Sequence, residues 1–146
     1  MEIFLITIKL PEPQINGTMS VEQVIHDKRS LRHYTNLPLS LVDVSQLMWV
    51  AQGIKDKNTN YRTASSGSHI FSLEVYILIG KNGVSINNTN KLEEGLYHYN
   101  IFNHSLEQLT NKDSRQKLAK TSDSTTLGGK CTSRYYNNWK SSIRIK

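Results

Sequence analysis

Residues 28–34, with the sequence KRSLRHY, bring together side chains that suit a bound phosphate ester. Lys28, Arg29 and Arg32 supply three cations within five positions, and Ser30 supplies a hydroxyl between them. Arginine and lysine both bind phosphate oxygens, arginine through two parallel hydrogen bonds. In an extended segment alternate side chains point the same way, so Lys28, Ser30 and Arg32 could contact one anion. The alternative interpretation is a solvated basic helix end, where cations favour the helix dipole.

Residues 62–68, with the sequence RTASSGS, form a run of small residues rich in hydrogen-bond donors. Ser65, Ser66 and Gly67 offer hydroxyl and amide groups without bulky side chains, so a flat ring could lie against them. An apolar run begins at Leu73, and a strand there would hold the segment in place. The alternative interpretation is a flexible polar loop.

The sequence lacks the residue patterns of metal sites and of several common catalytic and nucleotide-binding motifs. Its five histidines lack metal-ligand spacing, and the lone Cys131 excludes both a disulfide framework and a cysteine-based metal site. The nucleophile elbow, the Walker motif and the dinucleotide glycine motif are absent. We therefore expect no metal site and assign no catalytic residue.

Two capped helices should position the first basic segment. Ser20 is a candidate N-cap, and apolar residues at helical spacing behind it predict a short helix over residues 20–28. Ser40 predicts the start of a second helix over residues 41–52, which Gly53 would end.

The rest of the chain is predicted to be mainly strands. Residues 73–79, LEVYILI, are apolar on both alternating faces, which predicts a central strand covered on both sides. Asn82-Gly83 is a hairpin signal, residues 95–99 form a second predicted strand, and residues 106–119 a third predicted helix. Two helices, then strands, then a helix predict the α+β class.

The basic charge lies almost entirely at the C-terminal end. Residues 1–119 carry 12 Lys and Arg against 11 Asp and Glu, whereas residues 120–146 carry 6 against one. No apolar run approaches the roughly 18 residues that span a membrane, and residues 3–8 are too short for a signal peptide. We expect a cytoplasmic protein whose partners include neither nucleic acid nor membrane.

Taken together, the motifs resemble the start of a nitroreductase-family domain. The resemblance covers about residues 9–119. Within the family, the sequence is most similar to the SagB-type branch, which includes dehydrogenases that oxidise thiazolines and oxazolines in peptide natural products. The matching motifs are LPEP at 10–13, MSVE at 19–22, KRSLRHY at 28–34, PLSL at 38–41, SQLMWVAQG at 45–53, RTA at 62–64, LEVY at 73–76 and GLYHY at 95–99.

The resemblance implies the N-terminal half of an FMN-dependent fold, with helices packed on a mainly antiparallel sheet. It implies non-covalent FMN at a homodimer interface and hydride transfer between NAD(P)H, or a small-molecule or peptide substrate, and an acceptor. The family's phosphate-binding segment corresponds to Lys28, Arg29, Ser30 and Arg32, and its small-residue loop, which reaches the flavin from the partner subunit, to Ser65, Ser66 and Gly67. Ser65 and Ser72 stand where the family usually has proline, which would loosen that loop.

The resemblance ends near residue 120. We expect an N-terminal lead-in over 1–19, a partial nitroreductase-like domain over 20–119 and an aberrant polar, basic tail over 120–146. A frameshift would explain the tail, and truncation would leave a sheet edge exposed and part of the flavin site missing. The alternatives are an inactive remnant or partner-binding module without flavin and, less favoured, a nucleic-acid binder that uses the tail.

Overall fold

The computed structural model describes residues 6–30, 35, 37–118 and the backbone of 141–145. A five-stranded antiparallel sheet and one long helix packed against it form the centre of the molecule. The elements are β1 (Thr7–Lys9), α1 (Val21–Asp27), β2 (Leu39–Ser40), α2 (Leu41–Gln52), β3 (Ile54–Asp56), β4 (Tyr61–Arg62), β5 (Val75–Ile79), β6 (Val84–Ser85), β7 (Gly95–Asn100), β8 (Ser105–Thr110) and β9 (Ser141–Ile145).

The sheet has the strand order β1-β8-β7-β5-β9, and each neighbouring pair is antiparallel. Two small ribbons flank it: β2 pairs with β6 in parallel, and β3 pairs with β4 antiparallel. The mixed architecture of helices on an antiparallel sheet confirms the α+β prediction. Truncation was expected to leave a sheet edge exposed; in the structure β9 pairs with the edge of β5 that faces away from β7.

Helix α2 confirms the prediction for residues 41–52. The Ser40 hydroxyl accepts from the Asp43 amide at 3.0 Å, and the Asp43 carboxylate accepts from the Ser40 amide at 3.0 Å, which completes a capping box. Gly53 ends the helix with an ordinary extended backbone, so it is not chosen for a left-handed turn. A side chain there would overlap Trp49, and this close approach is what requires glycine.

Helix α1 also forms where it was predicted, with the Ser20 hydroxyl accepting from the Gln23 amide at 3.2 Å. Its apolar side chains, however, cover nothing. All seven residues of the helix are exposed, including Val21, Val24 and Ile25. The spacing therefore predicted the helix correctly, and its apolar side chains are exposed within the described part of the chain.

The core lies between α2 and the sheet. Helix α2 contributes residues from one face, β5 and β7 contribute alternating residues, and β8 contributes Leu106. The buried members include Val44, Met48, Ile77 and Tyr97. Four of the five β5 residues are buried, which confirms a central strand covered on both sides.

The prediction of a helix over residues 106–119 is wrong. Residues 105–110 form strand β8 between β1 and β7, and a helical turn follows only at residues 115–118. Two further details differ. The predicted strand 73–79 begins at Val75, and the turn at Asn82-Gly83 forms but joins β5 to β6, which pairs with β2 and not with β5.

Candidate functional site

The first basic segment begins where α1 ends. The Lys28 amide donates to the Val24 carbonyl, and the backbone of Lys28 then leaves helical geometry. The Arg29 guanidinium donates from Nη1 to the carbonyls of His26 and Lys28, both at 3.0 Å, which fixes it at the helix end. Lys28, Arg29 and Ser30 are all exposed. Arg32, the fourth predicted member, lies outside the described residues.

The cations of this segment lack carboxylate partners in residues 6–30, 35 and 37–118. The nearest acid in sequence, Asp27, is bonded instead to Gln23 Nε2 at 2.6 Å and to His26 Nδ1 at 2.8 Å. Those two hydrogen bonds lower the pKa of Asp27. Lys28 and Arg29 therefore stand as unneutralised positive charge at a surface, which is the electrostatic condition for binding an anion.

The small-residue segment forms a tight, strained loop. Its 3₁₀ turn spans Gly67–His69, and the Ser66 hydroxyl accepts from the Phe71 amide at 3.0 Å. Ser68, His69 and Phe71 have positive φ angles of 54°, 57° and 45°, which L-residues rarely adopt. Backbone strain of this kind clusters at functional sites.

The surface of that loop is open. A Cβ atom built on Gly67 would meet nothing within 4 Å, and Ser65 is exposed. A flat ring could therefore approach this backbone closely. The residues present, hydroxyls and amides without bulk, fit the edge and face of a flavin ring as well as the cations fit a phosphate.

The beginning of the loop is anchored to the C-terminal end of α2. The Thr63 amide donates to the Gly53 carbonyl at 2.9 Å, and the Thr63 hydroxyl donates to the Trp49 carbonyl at 2.8 Å. Arg62 Nη1 donates to the buried Gln52 Oε1 at 3.2 Å. The rigid helix thus fixes where the loop starts.

The structure does not bring the two predicted halves of the site together within one chain. In its described part, no hydrogen bond or ion pair joins Lys28, Arg29 or Ser30 to Ser65, Ser66 or Gly67. Each half has suitable chemistry, and the two halves make no direct polar contact with each other in the described chain.

A cleft next to the loop was missed by sequence reasoning. It has a volume of about 330 Å³, and four of its eight lining residues carry rings: Tyr61, His69, Phe71 and Phe102. The other four are Ile54, Thr59, Asn60 and Arg62. We call it the aromatic cleft. The concentration of rings within residues 61–71 was the available signal, whereas Phe102 comes from the β7–β8 turn, distant in sequence.

A buried polar network was missed as well. Ser45 Oγ lies 2.8 Å from His104 Nε2, and the Tyr99 hydroxyl lies 2.8 Å from His104 Nδ1. Ser45 donates to the Pro11 carbonyl and is only 1% exposed, so its hydroxyl cannot meet a substrate. Burial lowers the pKa of His104 and raises that of Tyr99 to about 12. This network is structural: it ties the N-terminal segment to α2 and the sheet.

Two kinds of site are absent from the described residues. No three His, Cys, Asp or Glu side chains there lie close enough together to hold a metal ion. Within the same residues, no helix has the length and apolar character needed to cross a membrane.

Comparisons with known proteins agree on one family. A proposed nitroreductase of Methanocaldococcus jannaschii is 27% identical over 113 residues, covering 77% of this chain and 52% of that protein. The crystal structure of a proposed nitroreductase from Ralstonia eutropha has a TM-score of 0.61 and 28% identity, covering 75% of this chain and 46% of that one. A proposed nitroreductase from Anabaena variabilis shares the fold, with a TM-score of 0.57, 22% identity, and 80% and 23% of the two chains covered.

No family sequence model matches the chain. The chain spans about half the length of the first two relatives, 52% and 46%. Similarity in sequence and in fold nevertheless points to the same group of proteins as the motifs at residues 28–34 and 62–64. The chain is similar, in sequence and in fold, to the N-terminal part of proteins named as nitroreductases.

Proposed function

We propose that the chain forms part of a cytoplasmic FMN-dependent oxidoreductase, with residues 20–119 as its nitroreductase-like unit. FMN, when bound, supplies a ring that accepts and releases hydride, so that electrons pass from NAD(P)H or a substrate to a second substrate. The proposed branch is the SagB type, whose substrates include peptides. We assign no catalytic residue.

The observation that carries this proposal is the exposed Lys28–Ser30 segment with its two unneutralised cations. Lys28 and Arg29 would bind phosphate oxygens, and the Ser30 hydroxyl would donate to one of them. Arg32 is the proposed fourth contact. A cation placed near the flavin edge would also stabilise negative charge on the reduced ring.

Ser65, Ser66 and Gly67 would form the platform beneath the ring. Their open surface supports the proposal because a ring needs close approach to the backbone. The hydrogen bond from the Phe71 amide to the Ser66 hydroxyl holds the platform's shape, although Ser65 replaces the proline usual in the family. Two of the platform's neighbours, Ser68 and His69, carry the strained backbone that keeps the turn tight.

We propose a homodimer, in which the platform of one subunit meets the phosphate segment of the other. Two observations support it: no hydrogen bond or ion pair joins the two segments in the described chain, and α1 exposes apolar side chains. Val21 and Ile25 are each 70% exposed. Apolar side chains that form a contiguous exposed patch are typical of interaction sites.

The visible absorption spectrum of the purified chain tests the flavin proposal directly. We expect flavin bands at a ratio near one per chain, or saturable uptake of added FMN by a colourless preparation. Neutralising the segment, with Lys28→Gln and Arg29→Gln together, should weaken FMN binding at least about tenfold, since each charge-assisted hydrogen bond contributes roughly 1.5–3 kcal/mol. The matched control is Lys81→Gln, an exposed lysine in the β5–β6 turn.

A second candidate, a partner-binding module without flavin, is favoured by the same exposed face of α1. The spectrum separates the two. A chain that stays colourless in excess FMN but still associates through α1 would support the binding module and contradict the oxidoreductase.

A further inference from the structure

Four rings line part of the aromatic cleft, and three of them contact one another. Tyr61 and His69 stack with their centroids 5.0 Å apart and an interplanar angle of 17°, and His69 meets Phe71 edge-on at 6.0 Å. Phe102 lines the cleft from the β7–β8 turn and is 72% exposed. The exposed ring of Phe102 lies beside the other rings of the cleft and leaves apolar surface in contact with water. A flat ring bound in the cleft would cover that surface.

Arg62 adds positive charge to the cleft. Its Cζ atom lies 4.7 Å from the centre of the Phe71 ring, and its Nη1 donates to Gln52. No carboxylate in the described residues pairs with Arg62, and no hydrogen bond among them uses its Nε or Nη2. Arg62 is half-buried, and a ring and an amide hold its guanidinium in place without neutralising it. Such a guanidinium can bind an anion through two parallel hydrogen bonds.

The size of the cleft limits what it can hold. Its volume of about 330 Å³ is at the lower end of the roughly 300–1,000 Å³ typical of small-molecule sites. It suits one ring with a short substituent and not an entire flavin nucleotide. The backbone around it is also strained: Asn60, His69 and Phe71, which line the cleft, all have positive φ.

We propose that the aromatic cleft binds a small planar aromatic carboxylate. The ring lies among Tyr61, Phe71 and Phe102, and the carboxylate accepts from the free edge of Arg62. The Lys28–Ser30 segment takes no part, so this site is distinct from the proposed phosphate site and exists whether or not the chain binds FMN.

Benzoate, titrated into the full chain and followed by amide chemical shifts, is the probe. Two matched compounds separate the contributions: cyclohexanecarboxylate keeps the charge without the aromatic ring, and benzamide keeps the ring without the charge. We expect saturable benzoate binding with shifts centred on residues 54–71 and 101–103. Both matched compounds should bind more weakly, benzamide at least about tenfold because it loses the charge-assisted hydrogen bonds.

Two variants test the walls separately. Phe102→Ala should weaken benzoate binding about fivefold, as expected for the loss of one ring contact, without affecting the fold because the side chain is exposed. Arg62→Gln should weaken it at least about tenfold. Ile86→Ala is the control, because Ile86 is an exposed apolar residue remote in sequence from the cleft. This variant should bind benzoate as tightly as the natural chain does.

Three results would overturn the proposal: no saturable binding of benzoate, equal binding of benzoate and cyclohexanecarboxylate, or unchanged binding by the folded Phe102→Ala and Arg62→Gln variants. The titration is repeated with saturating FMN. Unchanged benzoate affinity is expected, whereas direct competition would make the cleft part of the flavin site and contradict a distinct one. Failure to bind FMN would contradict only the flavin proposal, because benzoate binding is also measured in the absence of FMN.

Discussion

The hydroxyl of Tyr99 lies 2.8 Å from His104 Nδ1, where the tyrosine is buried and the histidine is partly exposed. The direction of this bond follows from the other ring nitrogen. His104 Nε2 lies 2.9 Å from the Pro11 carbonyl, which can only accept, so Nε2 carries a hydrogen, and in the neutral ring Nδ1 then accepts from Tyr99. Burial favours this neutral ring by lowering the pKa of His104, and Tyr99 keeps its proton because burial raises its pKa to about 12.

We predict that acid destabilises the fold through His104. Burial, the largest influence, lowers its pKa from the ordinary value of 6.5, so the unfolded chain binds a proton that the folded chain refuses. The stabilisation is complete above pH 6.5 and is lost progressively as the pH falls toward the lowered pKa. Urea unfolding at several pH values between 7 and 5 measures it.

His104→Gln is the matched variant, because a glutamine amide can still donate to Pro11 but cannot titrate in this range. It should be less stable at pH 7, since it loses the Tyr99 hydrogen bond, and its stability should vary less between pH 7 and 5. An identical pH dependence in both proteins would show that His104 is not the titrating group.

We predict that Gly95→Ala severely destabilises the sheet. Gly95 begins β7 with a φ of 149°, and a Cβ there would overlap the backbone carbonyl of Thr110 on β8. Backbone cannot move aside as a flexible side chain can, so the cost should be at least about 2 kcal/mol of unfolding free energy. Gly17→Ala is the control: its Cβ would meet only an ordinary contact at 3.9 Å. Equal stability of both variants in urea would contradict this.

Removing the N-cap of α2 should cost about 1 kcal/mol of unfolding free energy, the usual effect of replacing a capping serine. In Ser40→Ala the Asp43 amide loses its acceptor, and the Asp43 carboxylate loses the Ser40 hydroxyl at 2.6 Å. Denaturant unfolding of Ser40→Ala beside Ser72→Ala, an exposed serine outside any helix, measures the difference. A cap variant as stable as the control would show that α2 is held by its packing alone.

Features set by neighbouring residues could be predicted from the sequence. The caps at Ser20 and Ser40 are such features, because hydroxyl and amide lie three residues apart. Residues 105–110 were not predictable in the same way. Leu106 and Leu109 fit a helix by spacing, yet Leu106 and Gln108 alternate inward in the strand. The choice is made by hydrogen bonds to β1 and β7, partners distant in sequence.

The same distinction between neighbouring and distant residues decides which parts of the candidate site could be predicted. The basic segment at Lys28–Ser30 and the small-residue loop are contiguous in sequence, so their chemistry could be recognised there. The aromatic cleft could not, since Phe102 reaches Tyr61 and Phe71 only after the β7–β8 turn has folded. The His104 network likewise joins residues from the N-terminal segment, α2 and the sheet.

Charge on the exposed face of α1 should separate the subunits without unfolding them. Val21 and Ile25 lie on the same side of the helix, four positions apart, and neither is buried in the described chain. Val21→Glu combined with Ile25→Glu retains helix propensity, because glutamate is a better helix former than either β-branched residue. If α1 lies at a subunit interface, two buried glutamates would oppose association strongly.

Sedimentation and light scattering measure the mass of this variant, and urea unfolding at low protein concentration measures the stability of the single chain. We expect a monomer that unfolds like the natural chain when both are dilute. Because the proposed flavin site uses Lys28 to Ser30 of one subunit and Ser65 to Gly67 of the other, the monomer should also bind FMN more weakly. Ile86→Glu places the same charge on an exposed residue of a loop and should keep the natural mass. A double variant that remains dimeric would remove α1 from the interface, and a natural chain that is already monomeric would contradict the proposed dimer itself.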